Sequence, residues 1–394
     1  QDSAPYMDMA IYGENMRPHN VYFCAFSDIP VSPYLLELGH CSLCHANTTP
    51  NFRFATTLMA DPRYTNFSIV SYFCSKLVRW IVAKRSTIIT LIDAYLEDIA
   101  NRYPDIVTLV SPANSFEGRP IKYLKISTTN FEDERKPVIF IDGGIHSREW
   151  ISPPPVTYAI KKLVEDRSEP DLLERFDWIL LPVVNPDGYV FSFTNDRMWR
   201  MTRSTDQHSL SSICPGVDGN RNYDFFWNTV GTSSTPCSQT FAGSRPFSEI
   251  ETRVVRDIIL EYLHRMDVYL TMHSFGSMIL YPWGHDGSLS QNAFALQIVG
   301  NAMAEAIDAN SISTFPNYVV GNSVLVIGYA ASGASEDYAH SVGVPISFTL
   351  ELPGSNGLQN FGFLLPPRYI EPVCIETWAG IVAGVRRADE ILSR

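Results

Sequence analysis

"VIFIDGGIHSREWISPPPVTYAIKKLVED", residues 138–166, contains the patterns of a strand, a turn and a helix in succession. Its first eight residues form a short apolar run that is typical of a strand buried on both faces. The three prolines favour a helix that begins at Pro153, because proline is tolerated in the first turn of a helix. His146 and Glu149 lie in the turn between the two. A buried strand that leads into a helix is typical of α/β proteins.

The same alternation continues along the chain from Ser86. Apolar runs predict three more strands, "WILLPVV" at 178–184, "VYLTMHS" at 268–274 and "ISFTLEL" at 346–352. Apolar residues at helical spacing predict further helices in "STIITLIDAYLEDIANRYPD" at 86–105, "SEIETRVVRDIILEYLH" at 248–264, "SQNAFALQIVGNAMAEAIDAN" at 290–310 and "IETWAGIVAGVRRADEIL" at 375–392. Together these patterns predict an α/β sheet with helices on both faces.

Two local signals make more specific predictions. Ser248 and Glu251 have the spacing of a capping box at the start of a helix. "NPDGY", residues 185–189, has the composition of a turn after the strand at 178–184.

The 394-residue chain divides near residue 85. Residues 86–394 hold all the predicted strands and helices, so we interpret them as one folded domain. Residues 1–85 show little periodicity and form a separate N-terminal segment. Lys84 and Arg85 stand at the junction, where a dibasic pair suggests a processing site.

The N-terminal segment holds four of the seven cysteines, Cys24, Cys41, Cys44 and Cys74. "CSLCH", residues 41–45, matches the pattern of covalent haem attachment and equally half of a zinc site. Disulfides among these four cysteines are favoured over both, and a disordered start of the chain is favoured over disulfides. The odd total leaves at least one thiol unpaired within the chain.

Cys214 and Cys237 bracket a loop rich in Gly, Ser, Asn and Thr, where a disulfide would staple an irregular segment. Asn47 and Asn66 begin two N-x-[ST] sequons, which fit a secreted protein. We therefore expect the chain to be secreted and extracellular.

The composition excludes two classes of partner. The formal net charge is −12, and phosphate binding needs a basic face, so nucleic acid is not expected. The most apolar stretch, "SIVSYFCSKLVRWIVAK" at 68–84, has Lys76 and Arg79 in its middle, so no membrane-spanning helix is expected. With 45% hydrophobic and 18% charged residues, the chain has the composition of an ordinary soluble protein.

Candidate metal ligands follow the predicted strands. His146 and Glu149 come after the strand at 138–145, and His273 stands near the end of the strand at 268–274. In α/β sheets, functional groups gather where strands end. Two histidines and one carboxylate are a usual catalytic zinc set that leaves a position for water. H-x-x-E spacing alone is weak, since a histidine at a strand end is more often a structural residue.

A carboxylate and two arginines add to this set. Glu351 interrupts an apolar strand, where an unpaired charge is costly. It points outward, pairs with an arginine, or serves as a general base near the metal. Arg200 and Arg221 lie in "NDRMWRMTRS" and "GVDGNRNYDFF". Arginine binds carboxylates with two N–H groups and stabilises oxyanions, although most loop arginines are solvated surface residues.

Eight motifs occur in one order between Ser86 and the C-terminus: "GGIHSREW", "NPDGY", "RMWRMTRS", "GVDGNRNYDF", "MHSFGSMILYPWG", "GYAASGASEDYA", "FTLEL" and "GFLLPPRYI". In this order and spacing they resemble the zinc metallocarboxypeptidases of the carboxypeptidase A/B type. The resemblance implies a mixed, mainly parallel central β-sheet flanked by helices, one catalytic Zn²⁺ ion, and removal of single residues from peptide C-termini. It makes residues 86–394 the catalytic domain and residues 1–85 an atypical or degraded pro-segment.

The resemblance also implies roles for individual residues in the reaction. It makes His146, Glu149 and His273 the zinc ligands, and Asp218 the carboxylate that orients a zinc-bound imidazole. Glu351 resembles the family's general base, and Arg200 the arginine that stabilises the oxyanion. Cys214 and Cys237 resemble a family disulfide.

Other residues resemble the family's substrate-binding groups. Asn220, Arg221 and Tyr329 match the groups that hold the terminal carboxylate of the substrate. Arg148 and Ser274 match contacts to residues further up the peptide. An exopeptidase must demand a free carboxylate, and the Arg221 guanidinium supplies a recognition point that an internal peptide segment cannot satisfy.

Glu336, in "ASGASEDY", occupies the position that sets the floor of the family's specificity pocket. An apolar residue there goes with aromatic or aliphatic substrates, and an aspartate goes with lysine or arginine. A buried carboxylate is unfavourable until a cation pairs with it, so we expect a preference for C-terminal Lys and Arg. Gly284 and Val324 match enzymes that prefer apolar residues, which keeps an aromatic or aliphatic preference as the alternative.

A non-catalytic peptide-binding relative is the alternative function. Glu351 and Arg200 argue against it, because a binding module needs neither. The expected partners are peptides and proteins with a free C-terminus, and proteinaceous carboxypeptidase inhibitors. The chain is expected to be a monomer.

Overall fold

The computed structural model describes residues 88–311, 315–354 and 361–392. The predictions for residues 1–85 lie outside the described residues, as do their cysteines, both sequons and the dibasic pair.

Within the described ranges, eight strands form one sheet: β1 Val107–Asn114, β2 Pro120–Ile126, β3 Val138–Gly143, β4 Asp177–Leu181, β5 Met266–Ser274, β6 Met278–Tyr281, β7 Val319–Asn322 and β8 Ile346–Leu352. Their order across the sheet is β1-β2-β4-β3-β5-β8-β6-β7. The central strands β4, β3, β5 and β8 are parallel, as are β6 and β7, whereas β2 is antiparallel to β1 and β4, and β6 is antiparallel to β8. The sheet is therefore mixed and mostly parallel, as predicted.

The α-helices of the described residues are α1 Ile88–Arg102, α2 Pro153–Lys161, α3 Pro170–Arg175, α4 Pro186–Thr194, α5 Ile250–Tyr262, α6 Ala293–Asn310, α7 Ser323–Ile327, α8 Ser335–Val342 and α9 Ile370–Leu392. Helices α1, α2, α6 and α9 pack on one face of the sheet. Helices α5 and α8 pack on the other face. The prediction of helices on both faces is confirmed.

The apolar runs of the central strands follow from this two-sided cover. Ile139 and Ile141 of β3 belong to the core on the face of α2 and α9. Val138 and Phe140 of the same strand belong to the core on the face of α5 and α8. Since both faces are dry, successive residues are all apolar, and the sequence reads as a run without alternation.

Two local predictions were wrong. The N-cap of α5 is Glu249 and not Ser248, because the Ser248 hydroxyl donates to Glu249 Oε1 at 2.9 Å instead of capping a backbone amide. "NPDGY" is not a free turn but the start of α4. The Asn185 side chain accepts the Gly188 N–H at 2.9 Å, and Pro186 occupies the first helical position.

Cys214 and Cys237 form a disulfide, as the sequence predicted. Cys374 of α9 is buried and has no disulfide partner among the residues that the structure describes. Within the part of the chain that the structure describes, no helix is long and apolar enough to cross a membrane.

Candidate metal centre and substrate cleft

Three neighbouring parallel strands deliver the candidate metal ligands and Glu351 to one edge of the sheet. β3 ends at Gly143 and turns into the segment that carries His146 and Glu149. β5 pairs with β3 and carries His273 next to its end. β8 pairs with β5 in a register that sets Glu351 opposite His273. The carboxyl ends of parallel strands thus bring together residues that are far apart in the chain.

The donor atoms of the three predicted ligands converge on one point. His146 Nδ1 lies 2.8 Å from Glu149 Oε1 and 3.1 Å from His273 Nδ1. His273 Nδ1 lies 3.1 Å from Glu149 Oε2, and all three residues are buried. Bonds of about 2.0–2.2 Å at tetrahedral angles around zinc separate ligand atoms by about 3.3 Å. The nitrogen and oxygen donors and their spacing therefore fit a zinc ion.

Asp218 and Arg200 surround the histidine ligand. Asp218 Oδ1 lies 2.9 Å from His146 Nε2, the ring nitrogen that faces away from the other ligands. Arg200 donates to Asp218 Oδ2 through Nε and Nη2 at 3.0 and 2.9 Å. Burial opposes ionisation of Asp218, but Arg200 and His146 outweigh it and hold the carboxyl pKa well below its usual range. Asp218 thus fixes both the orientation of the imidazole and the position of the guanidinium.

Arg200 keeps one edge of its guanidinium directed at the ligand cluster. Its Nη1 lies 3.3 Å from His146 Nδ1 and 3.9 Å from Glu149 Oε1. A guanidinium held in place by a buried carboxylate presents its remaining N–H groups without reorganisation.

Glu351 lines the same cleft. Desolvation raises the pKa of its carboxyl to about 7, while His273 and Arg200 oppose the rise and Glu149 adds to it. Among the described residues, no side chain donates a hydrogen bond to Glu351. A carboxylate in this state is suited to exchange protons near neutral pH.

Arg221 is a buried cation without a carboxylate partner among the described residues. Its side chain is 7% exposed, and its Nε and Nη1 donate to the backbone oxygens of Gly231 and Asn220 at 3.1 and 2.6 Å. These backbone bonds orient the guanidinium but leave its charge unneutralised. A buried, pre-oriented and unpaired guanidinium is a site for an anion.

Glu336 is the corresponding buried anion. It is 5% exposed, and its Oε2 atom has no hydrogen-bond partner within the described ranges. Apolar and small residues line the cleft around it: Leu280, Gly284, Ile327, Ala331 and Ala334. Val324, the other predicted wall residue, is not among the cleft-lining residues and packs instead near Gly287.

The cleft is also lined by Arg148, Ser274 and Tyr329. Tyr329 is 58% exposed. The guanidinium carbon of Arg148 lies 4.4 Å from the centre of the Phe363 ring. Phe363 is itself held by a hydrogen bond from Arg197 to its carbonyl oxygen.

All the predicted zinc-ligand, catalytic and substrate-binding residues line one cleft of about 290 Å³, with Asp218 directly behind them. Sequence reasoning missed nine lining residues: Phe275, Met278, Leu280, Ser323, Ile327, Ala331, Ala334, Thr349 and Phe363. All of them except Ser323 lie within or next to a motif that was recognised, so their proximity to the predicted residues was the available signal.

A sheet of this topology, with two histidines and a glutamate at the carboxyl ends of its central strands, defines a zinc hydrolase. A sequence model of the zinc carboxypeptidase family matches residues 92–380. The chain therefore belongs to the zinc carboxypeptidase family and is a metallocarboxypeptidase.

Known relatives agree with this assignment. The chain is 68% identical over 305 residues to a carboxypeptidase B of Helicoverpa zea, a match that covers 77% of this chain and 71% of the relative. Among solved structures, the carboxypeptidase A of Helicoverpa armigera is 49% identical with a TM-score of 0.74, covering 77% of this chain and 73% of that one. Bovine thrombin-activatable fibrinolysis inhibitor, solved in complex with a tick carboxypeptidase inhibitor, is 32% identical with a TM-score of 0.69. That match covers 77% of this chain and 97% of the bovine chain.

Proposed function

We propose that this metallocarboxypeptidase releases single C-terminal residues and prefers Lys and Arg. The observation that supports the proposal is a pair of buried charges in the cleft, the Arg221 guanidinium and the Glu336 carboxylate, neither of which has an ion-pair partner among the described residues. A C-terminal Lys or Arg carries the two complementary charges, a free carboxylate and a side-chain cation. One such residue would neutralise both buried groups at once.

Substrate anchoring is assigned to Asn220, Arg221 and Tyr329. Arg221 binds the terminal carboxylate, and Asn220 lies beside it in the same turn. Tyr329 stands exposed at the rim, where it can contact a bound peptide. Anchoring at the terminus fixes the last peptide bond next to the ligand cluster and turns binding energy into positioning. Arg148 and Ser274 are assigned to the residues that precede the scissile bond.

The chemical step is assigned to Glu351 and Arg200. His146, Glu149 and His273 hold the zinc ion, which when bound polarises the scissile carbonyl and lowers the pKa of water. Glu351 accepts the proton of the attacking water and delivers it to the leaving amine. The free edge of Arg200 donates hydrogen bonds to the developing oxyanion. Asp218 is assigned the positioning of both His146 and Arg200.

Replacement of Glu351 by Gln tests the assignment of the base. We expect kcat on a peptide with a free C-terminus to fall by about 10²–10⁴-fold, because the amide cannot accept the proton. The matched control is Glu132→Gln at an exposed position of the loop between β2 and β3, which should leave kcat unchanged. Equal turnover by Glu351→Gln and wild type would contradict the assignment of Glu351 as the general base.

A panel of peptides that differ only in the last residue tests the preference. We expect kcat/KM to be highest for Lys and Arg and lowest for Asp and Glu. A preference for aromatic or aliphatic residues is the second candidate, favoured by the apolar wall of Leu280, Ile327 and Ala331. A higher kcat/KM for Phe than for Lys and Arg would establish that candidate instead.

We further propose that the cleft accepts the C-terminal tail of a proteinaceous inhibitor, as a tail with a free carboxylate resembles a substrate. The complex of the bovine relative supports this proposal. We also propose that the protein is secreted, because the Cys214–Cys237 disulfide is of the kind that persists in oxidising compartments.

A further inference from the structure

The position of the Glu336 carboxylate depends on the helix backbone that carries it. Glu336 Oε2 is buried without a hydrogen-bond partner among the described residues. Glu336 belongs to α8, so the place of its carboxylate in the cleft depends on where α8 is held.

Helix α8 is tied to its surroundings by several hydrogen bonds, among them one between the His340 imidazole and the Ser290 hydroxyl at 2.5 Å. The Ser347 hydroxyl of β8 donates to the Glu336 carbonyl oxygen at 2.9 Å. The Ser335 N–H donates to Asn220 Oδ1 at 2.9 Å, which links the helix to the proposed carboxylate anchor. The Gly284 N–H donates to the Asp337 carboxylate, whose two oxygens are both 2.9 Å away. This last bond joins α8 directly to Gly284, which lines the cleft.

Burial of the Asp337 carboxylate without a closely paired cation is energetically unfavourable. Its side chain is 0% exposed, and the nearest imidazole nitrogen, His285 Nδ1, lies 3.9 Å away. Buried carboxylates are normally compensated by closely paired cations, and this one is held mainly by backbone N–H groups. A Cβ atom added at Gly284 would lie 3.4 Å from Asp337 Oδ2, so the carboxylate stands directly behind the wall of the cleft.

The segment that carries Gly284 has other hydrogen bonds of its own, including Gly287 N–H to the Trp283 carbonyl oxygen at 3.1 Å and the Asn322 amide to the same oxygen at 3.2 Å. The Gly284 carbonyl oxygen accepts the Ala331 N–H at 2.8 Å, and Ala331 itself lines the cleft. The bond from Gly284 to the Asp337 carboxylate differs from these, because it ties the wall at Gly284 directly to the helix that carries the floor residue Glu336.

We propose that Asp337 is a positioning residue for substrate selection. Its carboxylate holds the wall at Gly284 at a set distance from the floor at Glu336, and this distance determines how the C-terminal side chain of the substrate fits. The proposal rests on the proposed function in one respect, the assignment of Glu336 to the side-chain pocket.

Asp337→Glu and Asp337→Asn separate the effect of the side-chain length at position 337 from the effect of its charge. Asp337→Glu keeps the charge but pushes the wall outward by one methylene, so KM for the preferred C-terminal residue should rise by about tenfold with kcat within about twofold of wild type. Asp337→Asn keeps the length and an acceptor oxygen, so KM should stay within about threefold of wild type. Ser341→Ala, on the exposed side of α8, is the matched control and should match wild type. If Asp337→Glu does not fold, Asp337→Ala replaces it with the same expectation, because alanine lacks the acceptor.

Three results would overturn the proposal. They are an unchanged KM in Asp337→Glu, a loss in Asp337→Asn as large as in Asp337→Glu, and a fall in kcat that is equal for all terminal residues. The peptide panel on wild type keeps the two proposals apart. If wild type prefers Phe, the Lys and Arg preference fails, and the Asp337 variants are then compared on Phe peptides with the same expected split between KM and kcat.

Discussion

At the level of single residues, Arg221 and Glu336, the two unpaired charges of the cleft, are surrounded by residues from distant parts of the chain. Arg221 is oriented by the carbonyl oxygen of Gly231, ten residues further on. Glu336 lies among wall residues such as Leu280 that belong to other elements. The motifs identify both residues, but their burial follows from the fold alone.

Reversal of the charge at Glu336 tests whether this residue contacts the C-terminal side chain of the substrate. Glu336→Lys should lower kcat/KM for C-terminal Lys and Arg peptides by at least about 10²-fold, because two like charges would meet in a buried pocket. Peptides that end in Leu or Phe should be affected less. The measurement is kcat/KM over the peptide panel.

Glu134→Lys is the matched control for Glu336→Lys, since it makes the same change of charge at an exposed position. It should leave the preference unaltered. A Glu336→Lys enzyme that still cleaves Lys and Arg peptides like wild type would show that Glu336 does not contact the substrate side chain.

Most of the candidate site was accessible from the sequence because its residues stand in short motifs with fixed spacing. Asp337 was not predicted, although it follows Glu336 directly in "ASGASEDY". Adjacent acidic residues on a helix usually indicate a solvated face. Only the structure shows that both are buried, and that one faces the cleft while the other bonds to Gly284 behind its wall.

At the level of elements, the sequence located the strands that are buried on both faces and missed the others. The runs at 178–184, 268–274 and 346–352 correspond to β4, β5 and β8 with ends shifted by at most a few residues. β1 is largely exposed or half-buried, and β6 and β7 have four residues each. Short or exposed strands give no apolar run, and lysines interrupt the apolar residues of β2, so these four strands and all three antiparallel pairings of the sheet could not be derived from residue patterns.

The start of α5 carries a prediction about pH. Glu251 lies in its first turn, is 1% exposed, and its Oε1 has no hydrogen-bond partner among the described residues. Burial, followed by the neighbouring charge of Glu249, raises the pKa of Glu251 to about 8, while Arg253 opposes the rise. A raised pKa in the folded state means that stability is full below the unfolded pKa of about 4.5 and is lost as pH rises towards 8.

Glu251→Gln should therefore become more stable relative to wild type as pH rises from 5 to 8, because glutamine imitates the protonated form. The difference in Tm should level off above pH 8, and each kcal/mol corresponds to about 2–4 °C. Thermal unfolding by circular dichroism at several pH values measures it. Glu134→Gln serves as the exposed control, and a Tm difference that does not vary with pH would contradict the prediction for Glu251.

At the level of the whole domain, the site exists only when the sheet is assembled. His146 and His273 are 127 positions apart, and Glu351 follows after another 78. Glu149 Oε2 also accepts the Ser274 N–H at 3.1 Å, so the ligand cluster joins the end of β5 to the turn after β3. A metal ion bound there would bind the folded state and not the unfolded chain, and would thereby stabilise the domain.

Removal of zinc should consequently change activity and stability together. We expect 1,10-phenanthroline to abolish peptide hydrolysis and to lower Tm by at least about 5 °C, with both restored by added Zn²⁺. The zinc-loaded Glu351→Gln enzyme separates the two effects, because it should lose activity and yet keep the Tm of wild type and its response to the chelator. Differential scanning calorimetry with a parallel peptide assay measures both quantities. Lost activity with an unchanged Tm would mean that the ion does not link β3 and β5, and the ligand set of His146, Glu149 and His273 would then be wrong.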